Sequence, residues 1–414
     1  MNPRLGRLQA YPFERLRQAF AGIVPDPAYP PINLSIGEPR HATPPLVQEA
    51  LQRGLSGLAN YPMTAGTTPL REAIAAWLRR RHGLAVLNAD AHVLPVLGSR
   101  EALFAFAQTI LDPSRAGATV LVPNPFYQIY EGAALLGGAE AYYVNADPAR
   151  SYRAAWHEVP DIVLGRTQLA YVCSPDNPTG RVMTLEEWRD LFVLADRHGF
   201  VIAADECYSE IYFDEARPPL GALAAAQALG RADYRGLVSF GSLSKRSNVP
   251  GMRSGFVAGD PALIEAFLLY RTYHGSAMSP PVAVASIAAW NDEAHVRENR
   301  RAYAEKFTRL QPVLATVLPC TLPDAGFYLW ARTPGDDVAF AKALYAARGV
   351  MVLPGSFFAR SAHGTNPGAG FIRIALVASL AECTTAVERI VDFVRGYGAV
   401  AHDHAPANAD HAAR

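Results

Sequence analysis

An amine nucleophile has few candidates in this chain. Of its 38 basic residues only Lys245, Lys306 and Lys342 are lysines, and the rest are arginines. Lys245 lies in GSLSKRSNVPGMRSGF, just after an apolar run and among small turn residues. Lys306 (EKFTRL) and Lys342 (AFAKALYAARG) fall on amphipathic helical patterns, where a solvated lysine is ordinary. A lysine that forms a Schiff base must be partly desolvated and close to cationic or cofactor groups, so that its amine can be neutral. Lys245 alone is placed for that. The plain alternative is a lysine on a surface turn.

Other residues extend the same chemistry. Asp205 ends the apolar run FVIAAD and would carry a carboxylate into a cleft, where it suits a protonated pyridine nitrogen. An ordinary helix cap is the alternative. Tyr208, three residues on, reaches the same space with a phenol suited to the ring's 3-oxygen. SPDNPTG (174–180) holds two X-Pro bonds, either of which can be cis, in a turn that aims Asn177 toward that same oxygen. Taken alone it is a common Asn-Pro turn. Ser99 and Arg100 open a helix after Gly98, and a helix N-terminus offers free N–H groups to a phosphate. Ser242, Ser244 and Arg253 complete such a cup. Tyr127, in NPFYQIY, stacks on a flat heterocycle or simply packs in the core. Arg373 sits in the apolar strand FIRIALV, where a buried guanidinium must be paired. Its fork fits the α-carboxylate of an amino acid, or an internal carboxylate.

The elements around these residues explain how they meet. Short, continuously apolar strands alternate with helices: HVLPVLG (92–98), ATVLVPNP (118–125), TQLAYVC (167–173), FVIAADECY (200–208) and LVSFGSLSK (237–245). That pattern predicts an α/β fold, a mostly parallel sheet covered on both faces. Ligands of such sheets bind outside the carboxyl ends of the strands. Nearly every residue just past a strand end here is polar, Gly, Pro or aromatic. Helices are expected over TPPLVQEALQRGL (43–55), 68–83, 99–112 and 184–199, the last opened by a Thr184/Glu187 capping box. The expected division is an N-terminal arm with part of the small domain (1–45), a large cofactor-binding domain (46–285), a smaller α+β domain (286–400) and a disordered tail (401–414). The small domain takes strands GFYLWAR, GVMVLPG and FIRIALV.

Composition excludes other classes. Lys+Arg and Asp+Glu are both 38, which supports neither nucleic-acid nor polybasic membrane binding. No apolar run approaches the ~20 residues of a membrane span. Cys173, Cys207, Cys320 and Cys383 form no CxxC pair and read as free thiols, and the tail histidines are discounted as a metal site, so no metal is expected. The N-terminus lacks the apolar core of a signal peptide, and the expected location is the cytoplasm.

Together SLSKRSNVPGMRSGF, SPDNPTG, DECY, GSREA and the late R-I-A strand resemble, in order and spacing, class I/II pyridoxal-phosphate aminotransferases of fold type I. The resemblance runs from IGEP to about residue 395. It implies pyridoxal 5'-phosphate as cofactor, with Lys245 as its Schiff-base lysine and proton shuttle and Asp205 as the pyridinium partner. Asn177 and Tyr208 would serve the ring's 3-oxygen, Tyr127 would stack, and Ser99, Arg100, Ser242 and Arg253 would cup the phosphate. Arg373 would clamp the substrate carboxylate, and Gly37 would let backbone approach the substrate. Tyr61 would reach a phosphate in a neighbouring subunit, which implies a homodimer with a shared active site. Asp176 stands where the family commonly has Asn. A narrower likeness, in SLSKRSNVPGMRSGFVAGD, VLPGSFFAR and NPGAGFIRIALVA, is to the bacterial N-succinyldiaminopimelate aminotransferases of lysine biosynthesis. It implies ping-pong transamination of N-succinyl-2-amino-6-oxopimelate with glutamate as donor. The alternatives are an aminotransferase for aspartate, aromatic amino acids or unsuccinylated diaminopimelate and, further off, a β-lyase or the cofactor-binding module of a regulator.

Overall fold

Strands rich in Val, Leu and Ala with no polar face cannot lie at a surface, and here they form the centre of a sheet. The structure, a computed structural model, describes residues 1–402, with side chains described to Tyr397. In chain order the strands are β1 (Ile32–Asn33), β2 (Val93–Val96), β3 (Thr119–Asn124), β4 (Glu140–Asp147), β5 (Arg153–Ala154), β6 (Thr167–Cys173) and β7 (Val201–Asp205). Then follow β8 (Leu237–Ser242), β9 (Gly255–Gly259), β10 (Tyr328–Arg332), β11 (Val350–Met351), β12 (Leu353–Pro354) and β13 (Phe371–Ala375).

An eight-stranded sheet runs β2-β9-β8-β7-β6-β3-β4-β5. Strands β4, β3, β6, β7 and β8 are parallel neighbours. The sequence pattern missed β9, a glycine-ended strand antiparallel to both β8 and β2. Two antiparallel pairings in succession turn β2 back to the direction of β8, so Gly98 and Ser99 reach the same edge as Asp205 and Lys245. Alternate residues feed two cores. Along β6, Leu169 and Tyr171 enter one and Ala170 and Val172 the other. Helices cover both faces, among them Thr68–His82, Ser99–Ile110 and Leu185–His198. The last opens with the expected capping box: the Thr184 hydroxyl accepts from the Glu187 N–H, and the Glu187 carboxylate accepts from the Thr184 N–H.

A third core joins β10, β12 and β13 to the helices Ala294–Ala315 and Leu380–His402. GVMVLPG was expected as one strand. It divides at Val352: β11 pairs with β1, and β12 pairs with β13. One short segment thus serves two sheets. The tail expected over 401–414 lies outside the described residues from 403 onward, its first two residues ending the helix Leu380–His402. Among the described residues no helix is long and apolar enough to cross a membrane.

The segment Gly355–Arg360 is strapped to the carboxyl edge of the large sheet. Arg360 makes two parallel bonds to the Glu131 carboxylate, at 2.8 and 2.7 Å, and its N–H donates to the Asn124 side chain at 3.0 Å. Phe126 N–H donates to the Phe358 carbonyl at 3.0 Å. Phe358 is thereby held against the guanidinium of Arg373, 4.3 Å from ring centroid to carbon.

Lys306 is not a solvated helix lysine but is 2% exposed, packed between the strap after β1 and the end of β13. Lys342 is exposed, as its pattern suggested.

Candidate active site

The carboxyl ends of β3, β6, β7 and β8 open into a cavity of about 540 Å³. Lys245 follows β8 on a four-residue helical turn, Leu243–Arg246, which Ser242 caps by accepting from Ser244 N–H at 3.1 Å. Its side chain is half-buried and lines the cavity. Burial pulls the ammonium below its usual range, the Arg253 and Arg100 charges pull the same way, and Cys207 and Asp205 oppose them.

Asp205, at the end of β7, is buried. It accepts from the Tyr130 hydroxyl at 2.7 Å and from Cys207 N–H at 3.2 Å. Burial raises its carboxyl above the usual range against those donors and the Lys245 charge. Such a group holds its charge best beside a further cation. One turn on, the Tyr208 hydroxyl lies 3.0 Å from that of Tyr328, and burial raises the Tyr208 phenol above its usual range.

Asn177 stands in the loop after β6, where Ser174–Pro175 is cis. Its side-chain oxygen accepts from Arg373 at 2.8 Å, which leaves the NH₂ group as donor. Arg373, on β13, also donates to the Ser35 carbonyl at 2.8 Å. The other buried arginines, Arg246, Arg271, Arg300 and Arg360, each have a carboxylate within ion-pair distance. Among the described residues Arg373 has none, and its Nε is buried without a partner.

On the other side of the cavity Ser99, Ser242, Ser244, Arg100 and Arg253 converge. The Arg253 guanidinium lies 3.5 Å from the Ser244 hydroxyl. It passes so close to Gly98 that a Cβ there would sit 2.2 Å from Nη2, and Gly98 also has φ +81°, so only glycine fits. The Ser99 hydroxyl accepts from Cys207 Sγ at 2.8 Å. Arg100 donates through Nε to the Tyr127 hydroxyl at 2.6 Å, fixing that ring at the cavity wall. Five hydroxyl or cationic groups beside helix N–H donors are the chemistry that could hold a phosphate dianion. Gly37 also needs its missing side chain, since a Cβ would fall 1.8 Å from the Tyr328 hydroxyl.

All the predicted site residues except Tyr61 line this one cavity or face it. Tyr61 is fully exposed in the segment between Leu55–Ala59 and Thr68–His82, away from the cavity within one chain. Sequence reasoning missed Tyr11 and Phe13 from the N-terminal arm, Glu38, Gln128, Cys207, Tyr328 and Phe358. Cys207 had a signal, lying between Asp205 and Tyr208. So did Tyr328, which points to the same face of its sheet as Trp330, the partner of Arg373. Tyr11 and Phe13 follow no strand end and gave none.

The family model described as "Aminotransferase class I and II" matches residues 29–390. An aminotransferase crystal structure from Neisseria meningitidis superposes with a TM-score of 0.93 at 53% identity, over 95% of this chain and 100% of that one. An LL-diaminopimelate aminotransferase of Dehalococcoides mccartyi is 31% identical over 87% of this chain and 91% of its own. A probable N-succinyldiaminopimelate aminotransferase of Thermus thermophilus matches with a TM-score of 0.81 at 27% identity, over 92% and 99%.

Proposed function

The chain belongs to the class I and II aminotransferases, and from that premise we propose that it transaminates N-succinyl-2-amino-6-oxopimelate with glutamate as amino donor. The family uses pyridoxal phosphate. When bound, that group draws electrons from the substrate α-carbon and stores the amine between two half-reactions. The cavity has the groups this cofactor needs: a phosphate cup, a buried carboxylate that would accept from a ring cation and be kept ionised by it, and two neutral donors in Tyr208 and Asn177.

Lys245 would hold the cofactor and, once released, would move the proton to and from the α-carbon. Asp205 would stay ionised against the ring nitrogen. Tyr208 and Asn177 would donate to the ring's 3-oxygen, and Tyr127 would stack. Ser99, Arg100, Ser242, Ser244 and Arg253 would hold the phosphate. The observation that carries the amino-acid reading is Arg373, a buried guanidinium facing the cavity that has no carboxylate partner among the described residues. A charge so buried calls for an anion, and a substrate α-carboxylate supplies one.

The acyl preference rests on the Thermus neighbour and on the motif likeness described above. The Dehalococcoides relative favours the second reading, unsuccinylated diaminopimelate. A half-reaction series separates them. Glutamate, added alone, is expected to convert the bound-cofactor absorbance to its amine form faster than aspartate or phenylalanine. N-succinyl-LL-diaminopimelate should then exceed LL-diaminopimelate in kcat/KM by roughly tenfold or more, about 1.4 kcal/mol. The reverse order would install the second reading.

We also propose a homodimer in which Tyr61 reaches the partner's phosphate cup. Tyr61 is solvent-exposed beside Leu58 and Met63, 64% and 60% exposed, an apolar edge that a second copy would cover. Sedimentation velocity should give twice the chain mass, and Tyr61→Ala should weaken cofactor binding. A monomer with full activity would refute both.

A further inference from the structure

Lys306, His41 and Asn299 have no role in the chemistry proposed above, yet they lie beside it. Lys306 and Asn299 are 2% and 5% exposed. Lys306 Nζ lies 2.7 Å from His41 Nε2, and His41 Nδ1 lies 2.7 Å from the Asn299 side-chain oxygen. Asn299 Nδ2 reaches the backbone carbonyls of Lys245 at 3.2 Å and Arg246 at 3.4 Å.

The direction of these bonds is forced. An ammonium has donors only, so His41 must accept at Nε2 and carry its proton on Nδ1. That proton goes to the Asn299 oxygen, which also accepts from Asn248 at 3.0 Å. The Asn299 NH₂ must therefore face the carbonyls. Those carbonyls need it: a helical turn of four residues leaves its last C=O groups without internal partners.

The other end reaches the substrate clamp. Lys306 also donates to the Leu376 carbonyl at 3.1 Å, three residues past Arg373. His41 sits on the strap that carries Ser35, whose carbonyl accepts from Arg373. Burial pulls the Lys306 ammonium down to about 8, and among the described residues no carboxylate lies within ion-pair distance of it. The Tyr303 ring lies 4.9 Å away, and with the two acceptors, Cys383 and Glu382, it favours the charge without outweighing burial. A buried ammonium so placed costs stability that a methionine of similar length would not.

We propose that Lys306, acting through His41 and Asn299, is a positioning residue that fixes the Lys245 turn relative to the strand of Arg373, so that amine and guanidinium meet one substrate at a set separation. The inference rests on Lys245 carrying the cofactor and Arg373 binding the carboxylate.

The test uses the holoenzyme with Lys306→Met and, in case that variant fails to fold, His41→Phe, which keeps a ring against Tyr303 (centroids 4.5 Å apart in the native protein) and removes both hydrogen bonds. Expected is a kcat per bound cofactor lowered roughly tenfold or more, because small misplacements of reacting groups are costly. The KM for the amino donor should change less than kcat, and the visible circular dichroism of the bound cofactor should change in amplitude. Wild-type kcat and dichroism in a folded variant would overturn the proposal. So would a lowered melting temperature with kcat per holoenzyme unchanged. Lys245→Ala, run alongside, separates the two levels: if it stays active, the cofactor assignment itself fails, whereas a dead Lys245→Ala beside wild-type bridge variants removes the bridge alone.

Discussion

Lys245→Ala is expected to lower transamination by about 10⁴-fold or more and to abolish the bound-cofactor absorbance. Two losses combine. The covalent hold on the cofactor disappears, and so does the proton shuttle, which for a positioned acid–base group is alone worth roughly 10²- to 10⁴-fold. The fold should survive. Lys245 is half-buried at the end of a short turn, and Ser242, Ser244 and Asn299 hold that turn through backbone atoms. The melting temperature is therefore expected to stay within a few degrees of wild type. Single-turnover kinetics and the visible spectrum measure both effects. An Ala variant with native turnover and native spectrum would move the chemistry to another residue, and neither remaining lysine lines the cavity.

Arg373→Leu should cut kcat/KM for the amino donor by about 10²- to 10⁴-fold. Each hydrogen bond from a charged donor is worth about 1.5–3 kcal/mol, and a carboxylate held by two loses about 3–6 kcal/mol. The change also strands the Asn177 oxygen and the Ser35 carbonyl, which Arg373 now serves. Arg373→Lys keeps the charge but not the fork, so it should recover only part of the loss. A neutral amine lacking the α-carboxylate separates this from misfolding. Its slow reaction should be nearly the same in both proteins, whereas an equal loss for both substrates would assign Arg373 to structure.

Much of the site was legible because parallel sheets gather strand ends at one edge. Asp205, Lys245 and Asn177 each follow an apolar run, and each lies at that edge. Ser99 was legible for the same reason, though β2 takes its direction from an antiparallel neighbour that the pattern did not reveal. Lys306 was misread because helical periodicity marks a polar stripe without saying what covers it. The covering residue, His41, lies 265 positions away. Tyr11 and Phe13 are brought to the cavity by the helix Pro12–Ala19, whose arm carries no strand-end signal. Nor could the missing counter-charge of Arg373 be read from sequence, because pairing depends on which carboxylates fold near it.

The scarcity of lysine has a practical side. Lys306 is shut inside, Lys245 faces the cavity, and Lys342 alone is exposed, on the helix Asp337–Arg348 and outside the cavity lining. Among the lysine side chains, an amine-directed dye or a surface linker would therefore meet Lys342 in the open, with Lys245 half-buried in the cavity wall. A fluorophore on Lys342 would report on tumbling and self-association from a site remote from the cavity lining.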